Sequence, residues 1–251
     1  MLLAAMRREL LGVERMLSHR RPMRFEAASV VEGEWAGREV ILATTGIGGK
    51  KAREVVSLVA DRYHPEALVC LGYAGGVSEG LKAGDLVLYS QVHLLEGRLL
   101  VDGGATLSHS ESCNPELVGL ARRALRTTGV VFHEGEGATV TDLICDPETK
   151  KWIGRNLSAN AIDMECYWVA EAARLDGIPF LGVRAVTDPV TQRVPNIASM
   201  VDNGGGVSYR DAFLYALGHP LDIYPMLRLD INARRADRNL ARFASCFISM
   251  E

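Results

Sequence analysis

Between Asn160 and Asp188 the chain packs a strand, a helix and a second strand with hardly a residue to spare, and each strand ends on an acid. Asn160-Ala161-Ile162-Asp163-Met164-Glu165-Cys166 sets an apolar pair before acid-Met-acid. An amphipathic helix is predicted from about Glu165 to Leu175, with Gly177 and Pro179 to stop it. An apolar run then climbs from Ile178 to Val186 and ends in Thr187-Asp188. In an open α/β sheet, ligands bind outside the carboxyl ends of the strands, which puts Glu165 and Asp188 where chemistry would be done. Spacing alone leaves a second reading open, in which one acid caps a helix and the other sits in a turn.

The length of 251 residues, 48% of them hydrophobic, suits one large α/β domain or two small ones, and one is expected. The net charge of -3 and the scattered Lys and Arg give none of the basic stripe of a nucleic-acid binder. Cys70, Cys113, Cys145, Cys166 and Cys246 are odd in number and lack any C-x-x-C pair, against both a disulfide framework and a structural zinc. The six histidines show no ligand spacing, so no metal is expected. No apolar run is long enough for a signal peptide or a membrane span, and a reducing cytoplasm is the expected setting.

Met1 to Ala5 reads as a short first strand and about Arg7 to Ser18 as a helix burying Leu10, Val13, Met16 and Leu17. Arg7, Arg8 and Glu9 fall in its first turn, where two arginines oppose the helix dipole unless an anion sits nearby; a solvated turn explains them as well. Phe25–Val31 and Arg38–Thr45 read as a hairpin. Gly46-Ile47-Gly48-Gly49 then opens a helix to about Tyr63, a turn where backbone amides can approach an anion, though without the spacing of a Walker loop. Ala67 to Leu71 is apolar throughout and so central in the sheet. The glycines of Gly72-Tyr73-Ala74-Gly75-Gly76-Val77 suggest a ligand-touching loop, or close helix–sheet packing, and Gly84-Asp85-Leu86-Val87-Leu88 follows as a strand.

Taken together, Thr45-Gly46-Ile47-Gly48, Gly72-Tyr73-Ala74-Gly75-Gly76 with Gly84-Asp85, Met164-Glu165, and Val183-Arg184-Ala185-Val186-Thr187-Asp188 resemble the nucleoside phosphorylase superfamily in order and spacing. The likeness covers about residues 1 to 190. It is greatest to 5'-methylthioadenosine/S-adenosylhomocysteine nucleosidases and hopanoid-associated phosphorylases. The resemblance implies a three-layer αβα fold around a twisted mixed β-sheet, one domain over residues 1–251 with a C-terminal helical extension at about 208–251. It also implies a purine nucleoside as substrate, no cofactor, and a homo-oligomer, dimer or hexamer.

By the same resemblance Asp188 protonates the departing purine, Met164 packs on the ribose and Glu165 accepts from its hydroxyls while opposing the positive charge that develops on the sugar. Asp163, Thr187, Tyr73, Ala74 and Gly75 join the substrate site. Ile144 and Cys145 stand in the segment covering the base, where the family usually has an aromatic. In the nucleosidases a glutamate in the turn after the first strand activates water, and Arg8 stands at the matching position. A guanidinium can hold phosphate but cannot act as a base. Phosphorolysis is therefore expected, with inorganic phosphate as co-substrate held by Arg8, Gly46 and Gly48. Against it, Cys70 replaces a second arginine of many phosphorylases and Tyr73 a usual Ser or Thr. Hydrolysis, with Glu9 as base if the register slips by one, is the alternative, and a nucleoside-binding protein with little turnover is a third reading.

Beyond the shared region, Pro195 to Gly206 reads as a polar loop and Ser208 to Leu217 as a helix. The tail from Leu221 to Ile248 carries Arg228, Arg234, Arg235, Arg238 and Arg242 at helical spacing and resembles the ends of hopanoid-associated phosphorylases. A basic amphipathic helix can meet a membrane surface or a lipid-tailed substrate; the preferred expectation is a solvated face packed on the sheet.

Overall fold

The structure, a computed structural model, describes residues 1–25, 28–97, 105–195 and 219–250. In chain order it runs β1 (Leu2–Ala4), α1 (Arg7–Glu14), β2 (Ser18–Arg24), β3 (Ser29–Trp35), β4 (Arg38–Thr44), α2 (Gly49–Tyr63), β5 (Leu68–Gly76) and β6 (Leu86–Glu96). It continues with β7 (Thr106–Ser112), α3 (Pro115–Thr128), β8 (Phe132–Thr139), α4 (Pro147–Asn156), β9 (Ala161–Asp163), α5 (Cys166–Leu175), β10 (Phe180–Asp188) and α6 (Ile223–Ile248). The expected helix at Ser208 to Leu217 and most of the expected loop from Pro195 lie outside the described residues.

All ten strands form one mixed sheet, and the expected α/β fold is what the chain adopts. Part of the sheet closes on itself. β5 pairs β10, β10 pairs β6, β6 pairs β8, β8 pairs β9 and β9 returns to β5. From β5 the sheet extends outward through β1, β4, β3 and β2, and β7 adds to β6. α2 and α5 pack together, whereas α6 lies against α1, α3 and β10.

Three local readings need correction. α1 ends at Glu14 rather than Ser18, because Leu17 turns back to pack over Gly33, where an added Cβ would lie 2.9 Å from it. The segment from Ser18 to Arg24 becomes a strand pairing β3, so the expected hairpin is the last two strands of a three-strand meander. Its β3–β4 turn uses Ala36 and Gly37, both at positive φ. Lastly, Gly72 to Gly76 is no loop but the second half of β5, its first four residues paired with β10 across a register shift at Thr187 and its last with β9.

α6 buries Ala233, Ala236, Leu240, Ala244 and Phe247 at helical spacing, while its five arginines face outward. Small residues allow close approach: a Cβ on Gly12 of α1 would fall 2.5 Å from that of Ala241. Among the described residues no helix is long and apolar enough to cross a membrane.

Candidate active site

β1, β5 and β10 run parallel and point their carboxyl ends to one side of the sheet, and acids gather where β9, antiparallel to β5, meets that end. Register makes Gly75 of β5 the meeting point. It pairs Asp188 on one side and Ile162 on the other, and a Cβ built on it would lie 3.0 Å from Asp188 Oδ2 and 3.2 Å from Ile162 Cγ1. Neighbouring strands sit about 4.8 Å apart, so Asp188 and the Asp163-Met164-Glu165 turn after Ile162 lie on strands either side of β5, roughly 10 Å apart.

Glu165 is the first residue outside α5 and is 6% exposed. Its Oε1 accepts the backbone N–H of Gly48 at 3.1 Å. Gly48 is at φ 98°, and Gly49 after it lies under Trp168, where a Cβ would sit 2.3 Å from the ring. The N–H of Gly46 donates to the carbonyl of Ala5 at 3.0 Å. Both amides expected to hold phosphate are thus engaged, one by a carboxylate and one by the backbone.

Glu9 reaches the interior from the first turn of α1. It is 2% exposed, and its two oxygens accept the backbone N–H groups of Met6 at 2.7 Å and of Tyr73 at 2.8 Å. Burial pushes its carboxyl up to about 7, opposed by those donors and by the Arg184 guanidinium. Burial likewise lifts Glu165 to about 7, opposed by Arg184 and reinforced by Asp163 and Glu9. A charge on Glu9 therefore helps to keep Glu165 protonated.

Arg8 points the other way. Its Nε donates to Asp237 at 3.0 Å and its Nη1 to Asp230 at 2.9 Å, both on α6. The phosphate role expected of Arg8 finds its guanidinium already occupied by two carboxylates. Asp237 also accepts a hydrogen bond from the hydroxyl of Tyr73, turning that side chain toward α6.

Asp163, expected to touch substrate, is spent on the protein itself. Oδ1 accepts Thr139 Oγ1 at 2.9 Å and the N–H groups of Glu165 at 3.0 Å and Cys166 at 2.8 Å, tying down the start of α5. Oδ2 lies 3.3 Å from Nε of Arg184. Met164 and Ile144 both border a small apolar cluster around Ile153 and Ile162. The loop carrying Cys145 is stitched to the segment after Asp188 by the N–H of Val194, which donates to the Cys145 carbonyl at 3.1 Å.

Asp188 closes the other end at 8% exposure. Thr187 Oγ1 donates to its Oδ1 at 2.6 Å and lies 3.4 Å from the Ala74 carbonyl. Burial raises its carboxyl above the ordinary range, against the pull of Lys150 and the Thr187 hydroxyl.

Several residues here escaped the sequence reading. Arg184, 1% exposed, takes the space that Gly72 leaves, where a Cβ would lie 2.0 Å from its Nη1 and 3.1 Å from Glu9 Oε1. Its Nη1 donates to the Leu71 carbonyl at 3.2 Å, and its Nη2 lies 3.4 Å from Cys70 Sγ. Lys150 of α4 bonds Asp188. Asn232 of α6 donates to the Thr187 carbonyl at 2.7 Å and to Gln192 Oε1 at 3.1 Å. The buried Nε2 of Gln192 finds no acceptor among the described residues.

The family model described as "Phosphorylase superfamily" matches residues 2–204. The chain belongs to the phosphorylase superfamily. Within that superfamily it is 31% identical over 165 residues to a 5'-methylthioadenosine/S-adenosylhomocysteine nucleosidase of Shewanella piezotolerans, covering 63% of this chain and 72% of the relative. A nucleosidase of the same name from Shewanella pealeana is 30% identical over 172 residues, covering 66% and 75%. The fold matches the nucleosidase of Neisseria meningitidis solved with methylthio-immucillin-A, at TM-score 0.77 and 22% identity over 99% of this chain and 97% of that one. It also matches native futalosine hydrolase of Helicobacter pylori, at TM-score 0.75 and 18% identity over 98% and 95%. α6 lies wholly beyond the segment that the superfamily model matches.

Proposed function

We propose that this member of the superfamily hydrolyses the N-glycosidic bond of an adenosine-type purine nucleoside, releasing free base and free sugar. The observation that carries the reading is the orientation of Glu9 and Arg8: the carboxyl faces inward beside Arg184, and the guanidinium faces the aspartates of α6. Phosphorolysis, the first expectation from sequence, loses its proposed anion site on both counts. Hydrolysis, the alternative, gains a base of suitable strength near neutral pH.

In this reading Glu9 takes a proton from water as the oxygen bonds to the anomeric carbon. The glycosidic bond breaks with its electron pair going to the purine, and Asp188 delivers a proton to the ring. Glu165 faces the ribose, accepts from its hydroxyls and opposes the charge on the sugar. Met164 packs on the ribose, and Thr187, Tyr73, Ala74 and Gly75 act as wall and support. Ile144 and Cys145 cover the base. The names of the relatives favour a thioether at the 5' position. No cofactor enters the scheme. The five unpaired cysteines support a reducing, cytoplasmic setting, and we expect a homo-oligomer, dimer or hexamer, to be read by light scattering.

The test is incubation with 5'-methylthioadenosine, S-adenosylhomocysteine and adenosine, with and without phosphate. Adenine and free sugar at a phosphate-independent rate are expected. Sugar 1-phosphate formed only with phosphate present would return the phosphorylase reading, and binding without any product would return the binding protein.

A further inference from the structure

α4 sends one side chain into the interior that the scheme above leaves unused. Lys150 is wholly buried at 0% exposure, its ammonium bonded to Oδ2 of Asp188 and 3.4 Å from the carbonyl oxygen of Gln192. Taking an ammonium out of water is expensive unless it is paired, and a leucine would fill the same space without that cost. The helix is built to deliver it. Asp146 caps the first turn by accepting the Thr149 N–H at 2.8 Å, Pro147 starts it, and Lys150 and Ile153 then share the inner face. Gly154 lets the helix press against the chain at Val77, where a Cβ would stand 2.1 Å from the carbonyl oxygen.

Both oxygens of Asp188 are therefore held by donors, Oδ2 by Lys150 and Oδ1 by Thr187. The other groups packed around the carboxyl carry little charge. The thiol of Cys145 comes from the loop before α4, neutral Asn232 from α6 meets the Thr187 carbonyl, and β5 and β9 contribute Gly75 and Ile162. Lys150 is the one cation paired with Asp188 among the described residues.

We propose that Lys150 is the positioning residue of the acid step: its ammonium fixes the plane of the Asp188 carboxyl and stabilises the carboxylate left behind when the proton passes to the purine. The inference rests on the reading of Asp188 as the acid. Charge balances through the step. A neutral acid beside a cation becomes an ion pair while the departing purine anion is neutralised. Burial favours the protonated form of Asp188, and Lys150 favours departure of the proton at the moment the glycosidic bond breaks.

Lys150→Met keeps the length and apolar stem of the side chain and removes the charge. For 5'-methylthioadenosine we expect kcat to fall on the order of 10- to 100-fold, with KM moving by less than about threefold. The acid form of Asp188 is lost as pH rises, and without the cation it persists to higher pH. The alkaline limb of the kcat profile should therefore move upward. A 4-nitrophenyl riboside, whose leaving group departs without a proton, supplies the control, and the ratio of the two rates should fall by the same 10- to 100-fold. Lys150→Arg should restore part of that ratio.

Equal losses on both substrates with an unmoved limb would overturn the proposal and leave Lys150 a packing residue. Should Lys150→Met fail to fold, the ammonium NMR signal of Lys150 in the wild-type protein decides: it should shift when adenine is bound, and a static signal rejects the idea. Asp188→Asn separates the two levels of argument. Full adenine release by that variant sinks the acid itself, whereas its loss alongside an unaffected Lys150→Met sinks the role of Lys150 alone.

Discussion

Glu9→Gln removes one ionisable group from the interior with almost no change of shape, and the structure fixes the sign of the result. Burial lifts this carboxyl from 4.5 to about 7. A carboxyl raised in the fold contributes its full stability below the unfolded value and loses it as pH climbs through the folded one, because ionised Glu9 is poorly tolerated inside. The loss amounts to roughly 3 kcal/mol, from about 1.4 kcal/mol for each tenfold change in proton affinity. Glutamine never ionises and escapes that loss. Near pH 4 the variant should be the less stable by about 1–3 kcal/mol, because the glutamine oxygen can accept only one of the N–H groups of Met6 and Tyr73 and its NH2 faces the other. Between pH 4 and pH 8 the difference should move in the variant's favour by up to about 3 kcal/mol, or roughly 6–12 °C in Tm for a chain of this size. Scanning calorimetry at the two pH values reads this directly. The same variant should lose adenine release by on the order of a hundred- to ten-thousand-fold, since an amide cannot take a proton from water. A Tm difference that stays flat across pH refutes the buried, near-neutral carboxyl, and retained turnover refutes its role as base.

Arg8→Ala should leave adenine release independent of phosphate and, with this half-exposed pairing gone, cost at most about 1 kcal/mol in urea unfolding; a newly phosphate-sensitive rate would speak for an anion site. Asp163→Asn strips the buried Arg184 of its ion partner and weakens the start of α5. A loss of about 3–5 kcal/mol is expected by denaturation, and a loss under about 1 kcal/mol contradicts the assigned role. Gly72→Ala pushes a methyl into Arg184 and Glu9. It should cut kcat by about a hundredfold with the fold retained by circular dichroism, and an active variant would show that the guanidinium has room to move.

The strand–helix–strand unit from Asn160 to Asp188 was legible because each feature carried its own signal: apolar runs, helical period, and Gly177 and Pro179 as stops. Strand direction accounts for Asp188, at the carboxyl end of a strand parallel to β5, whereas β9 runs antiparallel to β5 and Glu165 owes its place to the turn after Asp163. The first turn of α1 misled, because Arg8 and Glu9 are adjacent in sequence and only the curl of the helix decides which one faces inward. Gly72 to Gly76 misled for another reason. Glycines that admit Arg184 and Asp188 from the neighbouring strand β10 look in sequence like a loop that admits a ligand. Lys150 was hidden in a run of polar residues, though Asp146-Pro147 announced a helix start and the spacing to Ile153 would have put Lys150 on the inner face. The grip of α6 on Arg8, Tyr73 and Thr187 was beyond sequence reasoning, since it joins residues 45 to 229 positions apart with no local pattern.

The closed ring of strands leaves the sheet with two ends, at β2 and β7. β2 is fully exposed, carries Arg20, Arg21 and Arg24 around Pro22, and breaks register against β3 between Ser18 and Arg21. Positive charge, a missing amide and a bulge all discourage another strand from adding there. Crowding the protein to high concentration should therefore keep it dispersed rather than growing fibres from that rim, and replacing Arg21 and Pro22 with valine is the change most apt to make it sticky.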